Sequence, residues 1–171
     1  MNKHLLVVMS MLLLGCGTSY QQTVVTPLRS SLEPGKAVLI SVPQDGFYAA
    51  TEYKGSGQMT AGISRVAFLR FATNVDVTAD CHGADCFDRA NTGGYGYYVR
   101  PEILQWEDRA TEWSGISDKV EIRLTIYDAD TRQEIATQVV AGRSSWWTLG
   151  GDHPQDLLKE PVTEYVEGLY R

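Results

Sequence analysis

Acidic, basic and aromatic side chains are concentrated in residues 106–115, which hold two Trp and four charged residues. Two carboxylates that flank one bond can serve as the acid and base of a glycosidase, and Glu107, Asp108 and Glu112 supply carboxylates here. However, Glu107 and Asp108 are adjacent, and neighbours on a β-strand point to opposite faces, so they cannot act on the same bond. We therefore predict a solvated or ion-paired strand end, in which Arg109 pairs with a nearby carboxylate.

A second possible chemistry is hydrolysis with Asp152 and His153 as the base, and Ser114, Ser144 or Ser145 as the nucleophile. None of these Ser residues lies in a nucleophile-elbow sequence. Since Pro154 follows His153, we expect His153 to be a loop residue whose ring nitrogen bonds to backbone. The sequence predicts that the protein is not an enzyme and indicates no cofactor.

The first fifteen residues predict a signal peptide. Lys3 precedes an apolar run of ten residues, 5–14, which as a helix spans about 15 Å, half of a bilayer core. The following Leu13-Leu14-Gly15-Cys16 resembles the lipobox of bacterial lipoproteins, in which the Cys is acylated and the chain is cut before it. Gly17, in place of an Asp, favours the periplasmic face of the outer membrane. The alternative is an ordinary secretory signal with an incidental Cys.

Export also bears on Cys81 and Cys86, because thiols oxidise outside the cytoplasm. With Cys16 acylated, two Cys remain, which predicts one disulfide. The alternative is a metal held by Cys81, His82, Cys86 and His153. Four residues between two Cys, without a second Cys/His cluster, are weak support for it, so we predict no metal site.

Four Trp residues offer a binding surface, since Trp is enriched at protein interfaces. One interpretation places three of the four in the core between a sheet and its helices. The other is a surface formed by Trp113, Trp147, Arg109 and His153 that binds a protein or peptidoglycan. The candidate residues for that surface are Trp106, Asp108, Arg109, Glu112, Trp113, Trp147, Asp152 and His153.

Composition fits one globular domain: 171 residues, 43% hydrophobic and 21% charged. The net charge of −6 argues against nucleic acid as a partner, because its binders need clustered cations. We divide the chain into a signal peptide (1–15), a lipid anchor with a flexible tether (16–35) and one periplasmic domain (36–171). Within the tether, Val24 and Val25 could pair as a short edge strand.

Hydrophobic periodicity positions the remaining elements. Val120, Ile122, Leu124 and Ile126 alternate with polar residues, which predicts a half-buried strand. It is the middle strand of a predicted antiparallel meander, whose first strand starts at residue 97 and whose third strand covers 134–144. In the first strand, Pro101 predicts a bulge or an edge position, because Pro cannot donate a hydrogen bond to a neighbouring strand. Helices are predicted over 59–72, with Ile63, Val66, Ala67 and Phe71 buried, over 85–91, and after Pro161. The predicted fold is a two-layer α/β sandwich with a mixed, mainly antiparallel sheet and about three helices.

Three segments resemble an uncharacterised family of proteobacterial lipoproteins, domain of unknown function 4823. They are Val42-Pro43-Gln44-Asp45-Gly46 with Tyr53 and Ser56-Gly57, the stretch 106–115, and 150–154 before Leu157-Leu158. The resemblance implies an envelope lipoprotein without an assigned activity. More loosely, the order of elements resembles the N-terminal domain of the Tol-system β-propeller protein, which is a likeness of fold alone.

Together these features predict a non-catalytic outer-membrane lipoprotein that binds another envelope protein. The alternatives are a module that binds a small ligand or peptidoglycan, and, third, a hydrolase centred on His153.

Overall fold

The computed structural model describes residues 18–109, 116–145 and 153–171. In these ranges the chain forms eight strands and three helices, and a short 3₁₀ turn, Asp156–Leu158, precedes the last helix. The elements are β1 (Ser19–Thr26), β2 (Val38–Ser41), β3 (Gly46–Tyr48), β4 (Thr51–Tyr53), α1 (Ser56–Phe68), β5 (Val75–Thr78), α2 (Asp85–Thr92), β6 (Tyr97–Glu107), β7 (Lys119–Asp128), β8 (Glu134–Arg143) and α3 (Lys159–Leu169).

The main sheet has six strands in the order β1-β8-β7-β6-β2-β5. β6, β7 and β8 form the predicted antiparallel meander, and β2 is parallel to both β6 and β5. β3 and β4 form a separate antiparallel hairpin. The predicted mixed, mainly antiparallel sheet with three helices is confirmed.

The two faces of the sheet are covered unequally. On one face the predicted alternating residues of β7 pack against α1 and α3 in the larger core. On the other face Leu39 and Tyr98 pack with Cys86 and Ala90 of α2 in a small second core. The α/β sandwich therefore has one full helical layer, and α2 covers only part of the opposite face.

The helix predictions are right for α3 and partly wrong for α1. The helix predicted after Pro161 is α3, which buries Val162, Tyr165, Val166 and Leu169 at helical spacing. In α1, by contrast, Val66 is 65% exposed. The buried stripe of α1 consists of small residues and one aromatic: Ser56, Gly57, Thr60, Ala61, Ser64, Ala67 and Phe68.

Of the two alternatives predicted at Pro101, a bulge or an edge position, the structure confirms the edge position. The irregularity in β6 lies between Ile103 and Gln105, while Pro101 keeps its register opposite Leu124. Pro101 lies beyond Val99, the last residue of β6 that pairs with β2, so its missing N–H does not break that ladder. The proposed continuation of β6 towards Trp113 falls outside the described residues.

The prediction of a flexible tether up to residue 35 is wrong for most of that segment. Ser19–Thr26 form β1, an edge strand paired with β8 along its length. Leu32 is buried, and its N–H donates to the carbonyl of Leu169 at 2.7 Å. The predicted edge strand at Val24 and Val25 is confirmed, and pairing with β8 extends that strand into residues whose composition predicts a coil.

The predicted disulfide is present. It joins Cys81 and Cys86, whose Cα atoms are 5.2 Å apart, and ties the start of α2 to the loop that follows β5. Among the described residues, no helix is long and apolar enough to cross a membrane.

Replacing Cys81 and Cys86 with Ser together should lower the free energy of unfolding by about 2 kcal/mol, the loop-closure value for so short a ring. Denaturant unfolding measures it. Reductant should destabilise the unmodified protein equally and leave the double variant unchanged; an effect of reductant on the variant would contradict the assignment.

Candidate functional site

Described residues of the three segments that carry the family resemblance meet where β6 ends. The backbone of Gly46 lies so close to Trp106 that a Cβ on Gly46 would fall 2.6 Å from the Cβ of Trp106. Trp106 is 2% exposed. Its assignment to a binding surface is therefore wrong: the hairpin β3–β4 covers this indole, which belongs to the core.

Asp45, just before that hairpin, occupies the N-terminus of α1. Its carboxylate accepts hydrogen bonds from the N–H groups of Gly55 (3.0 Å) and Gly57 (2.8 Å). A Cβ on Gly57 would lie 2.3 Å from the carbonyl oxygen of Pro43, so the approach requires glycine. Burial alone would raise the pKa of Asp45, but the hydrogen bonds from Gly57, Gly55 and Ser56 outweigh it and hold the pKa below its usual value. The residue at the N-cap position of α1, Gly55, has no side chain that could cap the helix, and Asp45 supplies the cap instead.

Arg109 joins this hairpin to the end of β6. Its Nη2 lies 2.8 Å from Oε2 of Glu107, which is almost fully buried and needs a neutralising cation. The contact is an ion pair without hydrogen-bond geometry, since Oε2 of Glu107 receives no hydrogen bond among the described residues. The guanidinium also lies 4.7 Å over the ring of Tyr48 and donates to its hydroxyl. The prediction that Arg109 pairs with a nearby carboxylate is confirmed.

Asp108, Asp118 and His153 form a junction between three loops. Nδ1 of His153 lies 3.3 Å from Oδ1 of Asp108, and the N–H of Arg109 donates to Oδ1 of Asp118 at 2.6 Å. Burial raises the pKa of the Asp118 carboxyl, although the hydrogen bond from Arg109 opposes the shift. The ring of His153 thus contacts a carboxylate, and the expected bond to backbone is not formed by Nδ1.

These three side chains are the described residues that could hold a metal ion, because their ligand atoms lie within 4.8 Å of one another. The hydrogen bonds described above already account for the closeness of these side chains.

The junction also contains a residue of the hydrolase hypothesis. Ser144, one of the candidate nucleophiles, is buried, and its Oγ accepts a hydrogen bond from the N–H of Asp118.

The remaining sequence-predicted site residues cannot be compared with the structure. Cys16, Glu112, Trp113, Trp147 and Asp152 lie outside the described residues. Of the proposed surface, the structure thus brings together Asp108, Arg109 and His153.

Beside this junction a crevice of about 450 Å³ opens above the carboxyl end of β2. The chain reaches β5 and β6, the two neighbours of β2, through helices on opposite faces of the sheet. Ligands of α/β sheets bind at such a switch point, at the carboxyl ends of the strands. The crevice is lined by Ser41, Asp45, Phe47, His82, Arg100 and Leu104, among others.

A family model for DUF4823, a domain of unknown function, matches residues 30–169. The chain belongs to this family. Comparison with curated protein sequences finds no significant match.

Solved structures share the fold of this DUF4823 member at low sequence identity. The PelC dodecamer from Paraburkholderia phytofirmans has 12% identity and a TM-score of 0.66 over 90% of this chain and 97% of that chain. Lipoprotein GNA1162 from Neisseria meningitidis has 11% identity and a TM-score of 0.53 over 78% and 99%. A DUF330 protein from Xanthomonas campestris has 11% identity and a TM-score of 0.50 over 85% and 88%. At such identities the likeness concerns the fold alone.

The structure gives the DUF4823 segments a shared role in packing. Gly46 covers Trp106, and the hydroxyl of Tyr53 donates to the carbonyl of Asp108 at 3.2 Å. Sequence reasoning missed Tyr48 and Asp118 as members of the site, because nothing in their local sequence indicates which distant residues they meet. For Asp45 a signal existed: an Asp-Gly pair shortly before Gly-Ser-Gly and a helix.

Replacing Asp45 with Ala should lower the free energy of unfolding by about 1–2 kcal/mol, the usual effect of losing a helix N-cap. Because the folded pKa of Asp45 is lowered, its contribution is present above the unfolded pKa of about 3.9 and is lost as pH falls through the folded pKa. The stability difference between the protein and the variant should therefore shrink in acid, as measured by denaturant unfolding at several pH values. The exposed Glu52→Ala is the matched control; an equal loss in both variants would contradict the role of Asp45.

Proposed function

We propose that this protein is a lipoprotein held by Cys16 on the periplasmic face of the outer membrane, and that its domain is a non-catalytic module that binds another envelope protein. The lipobox-like sequence supports the anchor, and the shared fold with a neisserial lipoprotein agrees with it. The PelC structure from Paraburkholderia, a dodecamer, is an instance of this fold in an assembly.

The observation that carries the binding role is an exposed patch around the hairpin β3–β4. We call Phe47, Tyr48, Leu104 and Arg109 the hairpin patch. Phe47 is 60% exposed, and Tyr48 and Leu104 are also exposed. Aromatic residues and Arg dominate the binding energy of protein interfaces. Here Glu107 and Tyr48 hold the Arg109 side chain in place, so less conformational entropy is lost on binding.

The polar groups next to the patch favour binding over catalysis. Asp45 caps a helix, Glu107 is paired with Arg109, and one oxygen of Asp118 accepts from backbone. Each of these carboxylates thus has a partner whose loss would cost stability. A protein surface held rigid by such contacts suits recognition of a partner.

A photo-crosslinking residue at Phe47 should capture a discrete envelope protein in living cells. The same residue at Leu69, which is exposed at the end of α1, is the matched control and should not. Adding Arg109→Ala should abolish the adduct at residue 47, because the patch loses its cation. Adducts that are the same at both positions, or that are insensitive to Arg109→Ala, would contradict the hairpin patch as the docking surface.

The crevice at the carboxyl end of β2 favours a second candidate, a module that binds a small ligand or a peptidoglycan fragment. Its volume lies within the range of small-molecule sites. It combines the exposed apolar side chains of Phe47 and Leu104 with the polar side chains of His82 and Arg100.

Calorimetric titration with muropeptides tests this candidate. Binding should be weakened about tenfold or more by His82→Ala with Phe47→Ala, since each buried contact is worth about 1 kcal/mol or more. Leu69→Ala should have no effect. If the unmodified protein gave no heat of binding with muropeptides, and the crosslinker at residue 47 captured an envelope protein, the ligand-binding candidate would be refuted and the protein-binding role would stand.

A further inference from the structure

The distance between the proposed lipid anchor and the folded domain is very short. β1 begins at Ser19, three residues after Cys16. An extended chain spans at most about 3.5 Å per residue, so Ser19 lies within about 10 Å of Cys16 whatever the path between them. If Cys16 carries acyl chains in the membrane, as the proposed function holds, the domain cannot stand off the bilayer.

The register of the sheet identifies which part of the domain faces the anchor. Ser19 is paired with Arg143 of β8, Arg143 with Lys119 of β7, and Lys119 with Glu107 of β6. These residues form one row across the end of the sheet. We call Ser19, Tyr20, Ile116, Lys119 and Arg143 the anchor end.

The charges that reach solvent at the anchor end are cationic. Arg143 is exposed and forms no ion pair with any residue of the described segments, and Lys119 is partly exposed, with Nζ 4.0 Å from Glu107. Of the neighbouring acidic side chains that the structure describes, Glu107 and Asp118 are buried, and Asp108 is partly exposed beside His153. Although the net charge of the chain is −6, the described residues of the anchor end thus show positive charge. Anionic headgroups attract such cations.

Apolar and aromatic side chains accompany these cations. Ile116 is 51% exposed and Tyr20 is 41% exposed. Tyr favours the boundary between headgroups and acyl chains, where its ring is apolar and its hydroxyl is wet. Lys and Arg can lay their methylenes along such a boundary while their charges reach the headgroups.

We infer that the anchor end rests on the lipid surface that holds Cys16, with Lys119 and Arg143 against anionic headgroups and Ile116 at the interface. The strands then run away from the membrane. The turn between β7 and β8 follows Asp128, nine residues after Lys119, which places it roughly 30 Å from the lipid. Arg109, two residues beyond β6, lies at the membrane end, so the hairpin patch would meet a partner close to the bilayer.

Depth-dependent quenching tests this orientation in the acylated full chain, reconstituted in vesicles of phosphatidylethanolamine and phosphatidylglycerol. A fluorophore on Ile116→Cys should be quenched by headgroup nitroxides. The same fluorophore on Ser30→Cys, at the opposite end, should not. Ile116 lies two strands away from β1, so its quenching reports the orientation of the sheet and not merely the short tether.

Charge reversal supplies the matched comparison. Lys119→Glu with Arg143→Glu should reduce quenching at residue 116 to the level at residue 30, as should a twenty-residue Gly/Ser spacer after Gly17. Arg29→Glu with Arg132→Glu, at the opposite end, should leave quenching unchanged. Equal quenching at residues 116 and 30 in the unmodified acylated chain, or quenching unaffected by the Lys119/Arg143 reversal, would overturn the inference.

The failure of the anchor itself is separately visible. Mass spectrometry of the purified chain shows whether Cys16 carries acyl groups, and Cys16→Ser should release the protein from membranes. An unacylated Cys16 would refute the anchor of the proposed function, whereas an acylated chain without quenching at residue 116 would refute only the orientation.

Discussion

The close contact between Gly46 and Trp106 is the constraint on which the arrangement of the site depends. Only a residue without a side chain lets the hairpin β3–β4 lie on the indole. Once it lies there, Asp45 reaches the first turn of α1, and Tyr48 reaches the guanidinium of Arg109. Hairpin, helix and strand end are therefore positioned by one buried Trp. The contact also explains why Trp106 is buried in the core although it belongs to a charged stretch, whereas Arg109, three residues later, lies at the surface.

Asp45 also changes what this fold can bind. In doubly wound α/β proteins the N-terminus of the helix after the first strand is the usual phosphate site, because its free N–H groups and dipole favour an anion. Here a carboxylate of the chain itself takes those N–H groups. A nucleotide phosphate would have to displace Asp45 from two hydrogen bonds. The backbone of Pro43 also lies against the start of the helix, because Gly57 has no Cβ, and it takes up space there. The crevice that remains beside Asp45 is bordered by side chains of mixed polarity, which suits a neutral or weakly charged ligand better than a phosphate.

Periodic segments could be predicted from sequence, and segments ordered by distant partners could not. β7 and α3 bury the residues that their periods indicate, because one face of each meets the core. β1 is polar and exposed on most of its length, so its own sequence indicates a strand only at Val24 and Val25; pairing with β8 orders the rest. α1 packs closely on the sheet through a stripe of mainly small residues. Val66 therefore lies on the solvent side, although its spacing from Ile63 fits a buried helical face. At the site, the pairing of Arg109 followed from local charge, whereas the meeting of Asp108 with His153 depends on a contact between residues 45 positions apart.

Glu107 connects the two surfaces that the structure distinguishes. A carboxylate buried to this extent requires cations, and it has Arg109 on the side of the hairpin patch and Lys119 on the side of the anchor end. In the proposed arrangement, the same buried charge would hold one cation towards a protein partner and another towards lipid. Removing Glu107 would free both cations at once and could not separate the two roles. Changing Arg109 alone or Lys119 alone alters one surface and leaves the buried carboxylate with its other cation, so the two surfaces can be examined independently although they share a core residue.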